Sequence, residues 1–130
     1  MIVLDASAAI EWLLQTQTGI KIDKRIFSPQ LPLHAPHLLD VEVAQVLRRF
    51  VREKTITAQR GEEALDDLGD LPLNRYPHDF LLPRVWELRA TLTAYDAVYV
   101  ALAELLDAPL LTCDGRIASA PGHHANVDVI

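Results

Sequence analysis

The chain has 130 residues, of which 50% are hydrophobic and 23% are charged, and its formal net charge is −6. This length and hydrophobic content predict one globular domain over residues 1–130, built around a single core. The negative net charge argues against a protein that binds nucleic acid non-specifically, so binding of a polyanion would need a local basic patch or a bound cation.

Cysteine content and hydropathy indicate a reducing, aqueous compartment. The single cysteine, Cys113, excludes an intramolecular disulfide and suits the cytoplasm. The longest apolar run covers residues 97–103, far fewer than the ~20 residues that a helix needs to cross a membrane. Asp5 and Glu11 interrupt the first apolar stretch, and no basic segment precedes it, so it does not read as a secretory signal. We therefore expect a cytoplasmic protein without membrane association.

The first half of the chain alternates short apolar stretches with helical patterns. Residues 2–5 (IVLD) predict a buried strand, and the ASAAIEWLLQ that follows predicts a helix with Ser7 as its N-cap. A short helix is expected between Gly19 and Pro29, and then an extended segment, LPLHAPH, whose prolines confine it to weak pairing. A long helix is expected over residues 38–54, because its apolar residues recur at helical spacing.

The second half continues the alternation. AQRGEEALDDLGD predicts a helix with an acidic, solvated side, LNRYP a strand, and FLLPRVWELRATL another helix. TAYDAVYVALAELLD gives the clearest helical pattern, and Pro109 ends it. Its predicted apolar face consists of Tyr95, Val98, Tyr99, Leu102 and Leu106. PLLTCD predicts a second buried strand, GRIASAPG a short helix or turn, and NVDVI an edge strand.

Alternating strands and helices predict an α/β domain, in which helices cover both faces of a parallel sheet. Such sheets bind ligands beyond the carboxyl ends of their strands, where the strand order reverses. Asp5 and Asp114 each stand at the carboxyl end of a predicted strand. Glu42 and Asp96 lie in the first turns of helices that follow extended segments. The sequence therefore predicts that four carboxylates converge at one edge of the sheet.

Each carboxylate also has an ordinary structural explanation. Asp5 suits the cap of the helix that follows it, and Glu42 suits the first turns of a helix, where the dipole favours an acid. Asp96 comes three residues after Thr93, as in a capping box, and Asp114 with the glycine after it is a turn signal. The interpretation as a functional site rests on the coincidence of all four.

Clustered carboxylates repel one another, so such a site favours a neutralising cation. Oxygen ligands alone select a hard ion such as Mg²⁺ or Mn²⁺. An ion of this kind polarises a phosphodiester and lowers the pKa of a bound water. Ser7, besides its predicted capping role, is placed to hydrogen-bond a carboxylate or a metal-bound water.

The ordered set of motifs resembles the PIN domains, and among these the VapC-type toxins of prokaryotic toxin–antitoxin pairs. The resemblance runs along essentially the whole chain, through IVLDASAAIEWL, APHLLDVEVAQVLRR, YDAVYVALAELLDAPLLTCD and the short C-terminal strand. The acids of that family correspond here to Asp5, Glu42, Asp96 and Asp114. Ser7 matches a small hydroxyl residue two positions after the first acid, and Thr112 is the threonine of the family's T-x-D.

The resemblance implies a five-stranded parallel sheet in the order 3-2-1-4-5 with flanking helices. It implies an endoribonuclease toxin that depends on Mg²⁺ or Mn²⁺, with the four acids as catalytic and metal-binding residues and Ser7 and Thr112 in support. The implied partners are an RNA substrate, a small cognate VapB-type antitoxin that neutralises the toxin, and a second copy of the chain in a homodimer.

The chain departs from the family pattern just after the last acid. Many members have a further acid or amide there, whereas this chain has Gly115 and Arg116, which weakens the expectation of a second metal. Arg116 either contacts an RNA phosphate or is simply exposed. The basic residues between 48 and 54 have a similar pair of interpretations, as favourable charges at a helix C-terminus or as residues that steer RNA.

Two other classes of function compete with the nuclease. A phosphotransfer domain would have an acid two residues after Asp5, where Ser7 stands, or a lysine late in the chain, whereas the last lysine is Lys54. An interaction module with a vestigial acidic site and no nuclease activity stays open, because a basic partner would also use intact carboxylates.

Overall fold

The computed structural model describes residues 1–27 and 30–130, and strands alternate with helices throughout. In chain order the elements are β1 (Ile2–Leu4), α1 (Ala6–Leu13), α2 (Gln17–Phe27), β2 (Leu33–Pro36), α3 (Leu38–Arg52), α4 (Ala58–Asp70), β3 (Leu73–Tyr76), a 3-10 turn (Asp79–Leu81), α5 (Leu82–Glu87), α6 (Ala94–Leu106), β4 (Leu110–Thr112), α7 (Gly115–Ser119) and β5 (Val127–Val129). The predicted boundary of the second helix at Pro29 lies outside the described residues.

The five strands form one parallel sheet in the order β3-β2-β1-β4-β5, which confirms the predicted order. In the centre, Val3 of β1 is opposite His34 of β2 on one side and Leu110 of β4 on the other. The chain moves from β1 to β2 and β3 in one direction, and then crosses back to β4 and β5. The strand order therefore reverses between β1 and β4, and their carboxyl ends form the switch point of the sheet.

Helices cover the sheet in two groups. Helices α1 to α4 pack against one another, whereas α5 packs against α6. Right-handed crossovers place the first group on one face and the second on the other, because the chain reverses direction after β3. The core lies between these layers: β1 is wholly buried, and α6 is buried continuously from Ala97 to Ala103. No helix among residues 1–27 and 30–130 has both the length and the hydropathy of a membrane span.

The second strand pairs more strongly than the sequence predicts. β2 is buried at all four positions and is bonded to β1 on one side and β3 on the other. Its prolines do not interrupt this pairing because Pro36 is its last residue and Pro32 precedes it. The Pro32 carbonyl accepts a hydrogen bond from the backbone N–H of Ile2 at 2.9 Å. The prediction of weak pairing was therefore wrong.

The helix predicted over FLLPRVWELRATL is divided in the structure. A 3-10 turn precedes α5, which ends at Glu87. Pro83 lies in the first turn of α5, where its missing N–H costs nothing, but it would break a helix that continued through it. In the next helix, Tyr95 was predicted to face the core but is 62% exposed, because the buried stretch of α6 begins only at Ala97.

Candidate active site at the switch point

The switch point joins Asp5 to Thr112. Leu4 is paired with Leu111, and the backbone N–H of Asp5 donates to the Leu111 carbonyl at 3.2 Å. This register sets the side chains that end β1 and β4 side by side. The Thr112 hydroxyl donates to Oδ2 of Asp5 at 2.5 Å and accepts the backbone N–H of Asp114 at 3.0 Å. One buried threonine therefore links the first and last predicted acids.

Asp5, and not Ser7 as predicted, is the N-cap of α1. Its Oδ1 accepts the backbone N–H of Ala8 at 3.0 Å and the Ser7 hydroxyl at 2.7 Å. The extended backbone of Asp5 at the end of a strand aims its carboxylate over the first helical turn, which places Ser7 inside the helix. The Ser7 hydroxyl also accepts the backbone N–H of Cys113 at 2.9 Å, so it ties α1 to the segment after β4.

All four predicted acids line one cavity of about 340 Å³ at this edge of the sheet. Asp5 and Asp114 reach it from the strand ends, Glu42 from α3 and Asp96 from the first turn of α6. The remaining wall is partly apolar and carries one arginine; it includes Ile10, Val46, Arg49 and Phe50. The structure thus brings together the carboxylates that the sequence placed on separate strand and helix ends.

Three of these carboxyls lie in surroundings that oppose ionisation. Burial raises the pKa of Asp5 above its ordinary value, and the charge of Asp96 adds to the rise. Burial also raises the pKa of Glu42, with repulsion from Asp96 and Asp5 in support. The pKa of Asp96 is raised by burial and then by repulsion from Asp114. A bound cation would relieve this repulsion, because it favours the charged form of every carboxylate around it.

Asp114 differs because it is already neutralised by an arginine. Arg116 donates to its two carboxylate oxygens at 3.0 and 2.7 Å and lowers the pKa of Asp114. Asp114 also caps α7 by accepting the backbone N–H of Arg116. Arg116 is 89% exposed at its side chain, so its guanidinium stays accessible to solvent while it holds Asp114.

The sequence-based prediction misses the place of Tyr99 and Glu11 in the cavity and does not distinguish Arg49 within its basic cluster. Tyr99 was assigned to the core, yet its hydroxyl donates to Oε1 of Glu42 at 2.5 Å. Its spacing of three from Asp96 puts both on one face of α6, and this spacing was the signal available in the sequence. Glu11 follows Ser7 by one helical turn and also lines the cavity, where the Thr16 hydroxyl binds its carboxylate. Arg49 had no signal that separated it from its basic neighbours.

The donor set suits a hard divalent cation, because every predicted ligand is a carboxylate oxygen. Protein contacts already occupy part of this set: Arg116 engages both oxygens of Asp114, and Tyr99 engages one of Glu42. Within residues 1–27 and 30–130, no three Asp, Glu, His or Cys side chains stand close enough to enclose a metal ion as they are. Asp5, Glu42, Asp96 and Asp114 are the residues that would hold the ion.

Comparison with known proteins gives matches along nearly the whole chain. The family description "PIN domain" matches residues 2–122. Ribonuclease VapC12 of Mycobacterium tuberculosis is 41% identical over 130 residues, which cover 100% of this chain and 99% of the relative.

Two solved structures have the same fold. PAE2754 from Pyrobaculum aerophilum superposes with a TM-score of 0.70 at 26% identity, covering 98% of this chain and 83% of that one. A toxin–antitoxin complex from Klebsiella pneumoniae contains a chain that superposes with a TM-score of 0.68 at 20% identity, covering 99% of this chain and 97% of that one. At 20% identity, the second likeness concerns the fold alone.

Proposed function

We propose a function from one premise: the chain belongs to the PIN-domain family, and within that family to the VapC ribonucleases. It is then an endoribonuclease that cleaves RNA phosphodiester bonds with a divalent cation and acts as the toxin of a toxin–antitoxin pair. The observation that carries this proposal is the convergence of Asp5, Glu42, Asp96 and Asp114 on one cavity. The functional unit is a single PIN domain over residues 1–130.

In this proposal the four carboxylates hold Mg²⁺ or Mn²⁺, and Asp5 and Asp96 are its central ligands. A bound divalent cation would polarise the phosphodiester and lower the pKa of the attacking water. Ser7 and Thr112 support the site by fixing the Asp5 carboxylate through hydrogen bonds at 2.7 and 2.5 Å. Fixed carboxylates matter because a catalytic group that is displaced by about 1 Å loses most of its effect.

Two arginines offer contacts for the negatively charged substrate. Arg49 lines the cavity, and its guanidinium lies 5.5 Å from the ring centroid of Phe50. Arg116 flanks the cavity through its ion pair with Asp114. A chain with a net charge of −6 needs such local cations to accept a polyanion. We assign both arginines to phosphate contacts and the Phe50 ring to a neighbouring unstacked base.

The proposed activity is tested by incubating the purified chain with total RNA, with and without Mg²⁺ or Mn²⁺, and mapping the new 5′ ends. We expect a small set of discrete cleavage sites that require the cation, and arrest of growth when the chain is expressed without an antitoxin. Cation and RNA binding with no cleavage would instead support an interaction module with a vestigial acidic site.

Replacing Arg49 by alanine should raise the KM for a short RNA several-fold while kcat changes little, because a phosphate contact contributes mainly to binding. The slope of log affinity against log salt should fall by about 1. Arg52→Ala is the matched control: Arg52 is on the same helix but lines a different groove, together with Glu62 and Leu65. Equal effects of the two changes would show that Arg49 acts only through overall charge.

The partners belong to the same proposal. A VapB-type antitoxin would neutralise the toxin, in keeping with the membership of this chain in the VapC ribonucleases. A homodimer is proposed to cover exposed apolar side chains in and just before α5, among them Phe80, Leu82 and Trp86, which are 49%, 52% and 67% exposed. Sedimentation of the chain alone measures the homodimer. Sedimentation with a candidate antitoxin, encoded by a short gene next to the gene of this chain, measures the second association.

A further inference from the structure

Tyr99 places a polar atom where the surrounding helix is otherwise apolar. It is 2% exposed, and every other residue from Ala97 to Ala103 is an alanine, valine or leucine. Packing in such a layer is served equally well by phenylalanine. The hydroxyl instead donates to Oε1 of Glu42, which links α6 to α3 across the cavity. The pKa of Tyr99 is raised by burial and by Glu42, so the phenol stays protonated and remains a donor.

The Glu42 carboxylate has fewer restraints than those of Asp5 and Asp114. Asp5 is held by Thr112, Ser7 and a backbone N–H, and Asp114 is held by Arg116. Among the described residues, the Tyr99 hydroxyl is the hydrogen-bond donor found for the Glu42 side chain. The charges of Asp96 and Asp5 repel Glu42. Without Tyr99, a half-buried glutamate on a helix would turn away from these charges and toward solvent.

We propose that Tyr99 is a positioning residue, which holds the Glu42 carboxylate in the acidic cavity and so allows it to contribute to binding of the divalent cation. This inference rests on the proposed metal-dependent function. Tyr99 then affects cation binding only through Glu42, so the effects of replacing the two residues should not be additive.

The test is the binding of Mn²⁺ alone, measured by calorimetry and by its electron paramagnetic resonance spectrum. We expect Tyr99→Phe to weaken Mn²⁺ binding about tenfold, because a hydrogen bond to a charged group is lost. Tyr95→Phe is the matched control, since Tyr95 is on the same helix but exposed, and it should bind Mn²⁺ like the wild type. Glu42→Asp, whose shorter side chain falls short of Tyr99, should weaken binding similarly and covers the case in which Tyr99→Phe does not fold.

A double-mutant cycle separates positioning from packing. In a Glu42→Gln background, where binding is already weakened, Tyr99→Phe should cause no further loss of Mn²⁺ affinity. The proposal is overturned if Tyr99→Phe binds Mn²⁺ as the wild type does, or if it causes the same loss with and without Glu42. It also fails if Glu42→Gln leaves Mn²⁺ affinity unchanged. Wild-type protein that binds Mn²⁺ without cleaving any RNA would contradict the proposed nuclease but would leave this coupling measurable.

Discussion

Asp5→Asn is expected to slow RNA cleavage by about a hundredfold or more, while the folded protein stays at least as stable as the wild type at neutral pH. The loss of activity follows because the amide removes a negative charge from the centre of the carboxylate cluster, where it weakens cation binding. Asp96→Asn should have the same effect on cleavage. The measurement is the initial rate on a short RNA that contains a mapped cleavage site.

The geometry around Asp5 explains why asparagine preserves the fold. Asparagine is as good an N-cap as aspartate, so its oxygen still accepts the N–H of Ala8. Its NH₂ group donates to the Thr112 hydroxyl, whose own hydrogen then turns to the Ser7 hydroxyl 3.2 Å away. Asp5→Ala lacks this compensation: it loses a cap worth about 1 kcal/mol and removes the carboxylate that accepts both the Thr112 and the Ser7 hydroxyls, so at least one of the two is left without an acceptor.

The stability difference between Asp5→Asn and the wild type should depend on pH. The pKa of Asp5 is higher in the folded protein than in the unfolded chain, where it has its ordinary value near 4. At any pH between these two pKa values, the folded wild type therefore binds more protons than the unfolded chain. Its free energy of unfolding therefore falls as pH rises through the raised pKa. The variant has no such penalty, so its advantage is largest near pH 7 and disappears below about pH 4. His34, whose pKa does not depend on Asp5, titrates equally in both proteins, whereas Glu42 loses the repulsion of Asp5 in the variant and adds to the same difference.

Urea unfolding of the two proteins at several pH values, in the presence of a chelator, measures this difference. Asp66→Asn removes an exposed acid from α4 and is the control for net charge. If the difference in unfolding free energy between Asp5→Asn and the wild type stayed constant with pH, the pKa of Asp5 would not be raised in the folded state. Cleavage by Asp5→Asn at the wild-type rate would remove Asp5 from the site.

The sequence pattern predicted the alternation of strands and helices and the strand and helix ends that carry the four acids, and the family resemblance supplied the strand order. β1 and β4 are short apolar runs at whose ends polar residues stand, Asp5 after β1 and Thr112 as the last residue of β4. Both strands and their polar ends can therefore be recognised from a few neighbouring residues. Once the strand order is known, the meeting of Asp5 and Asp114 at one edge follows from parallel geometry. Glu42 and Asp96 follow because each lies near the start of a helix that begins at the same edge.

The contacts that tune the site were beyond the sequence because they depend on local backbone geometry or on the packing of distant segments. The capping oxygen of α1 belongs to Asp5 and not to Ser7, since the backbone at the end of β1 is extended; either residue alone is a good N-cap. The spacing of Tyr99 from Asp96 puts both on one face of α6, but the contact of its hydroxyl with Glu42 emerges only once α3 is placed opposite α6. The pairing of Arg116 with Asp114 depends on the first turn of α7, a helix of only five residues.

Divalent cations should stabilise the wild-type fold strongly. A ligand that binds only the folded state adds about 2.7 kcal/mol at a concentration of 100 times its Kd. For a domain of this size, that corresponds to a rise in Tm on the order of 10 °C. The expected source is relief of the repulsion that raises the pKa values of Asp5, Glu42 and Asp96. Thermal unfolding with Mg²⁺, with Mn²⁺ and with excess chelator measures the shift, and the chelator should also abolish cleavage.

The same titration distinguishes a specific site from general screening of an acidic protein. A net charge of −6 alone would give a small stabilisation by any salt, and Asp66→Asn and the wild type would respond alike. A specific site predicts that Asp5→Asn and Asp96→Asn lose most of the Tm shift while Asp66→Asn keeps it. The shift should shrink as pH falls, because protons compete with the cation for the same carboxylates. If the Tm of the wild type and of all three variants shifted equally, the carboxylates would bind no cation specifically. The repulsion among them would then have to be balanced by basic groups, of which Arg116 is already bound to Asp114.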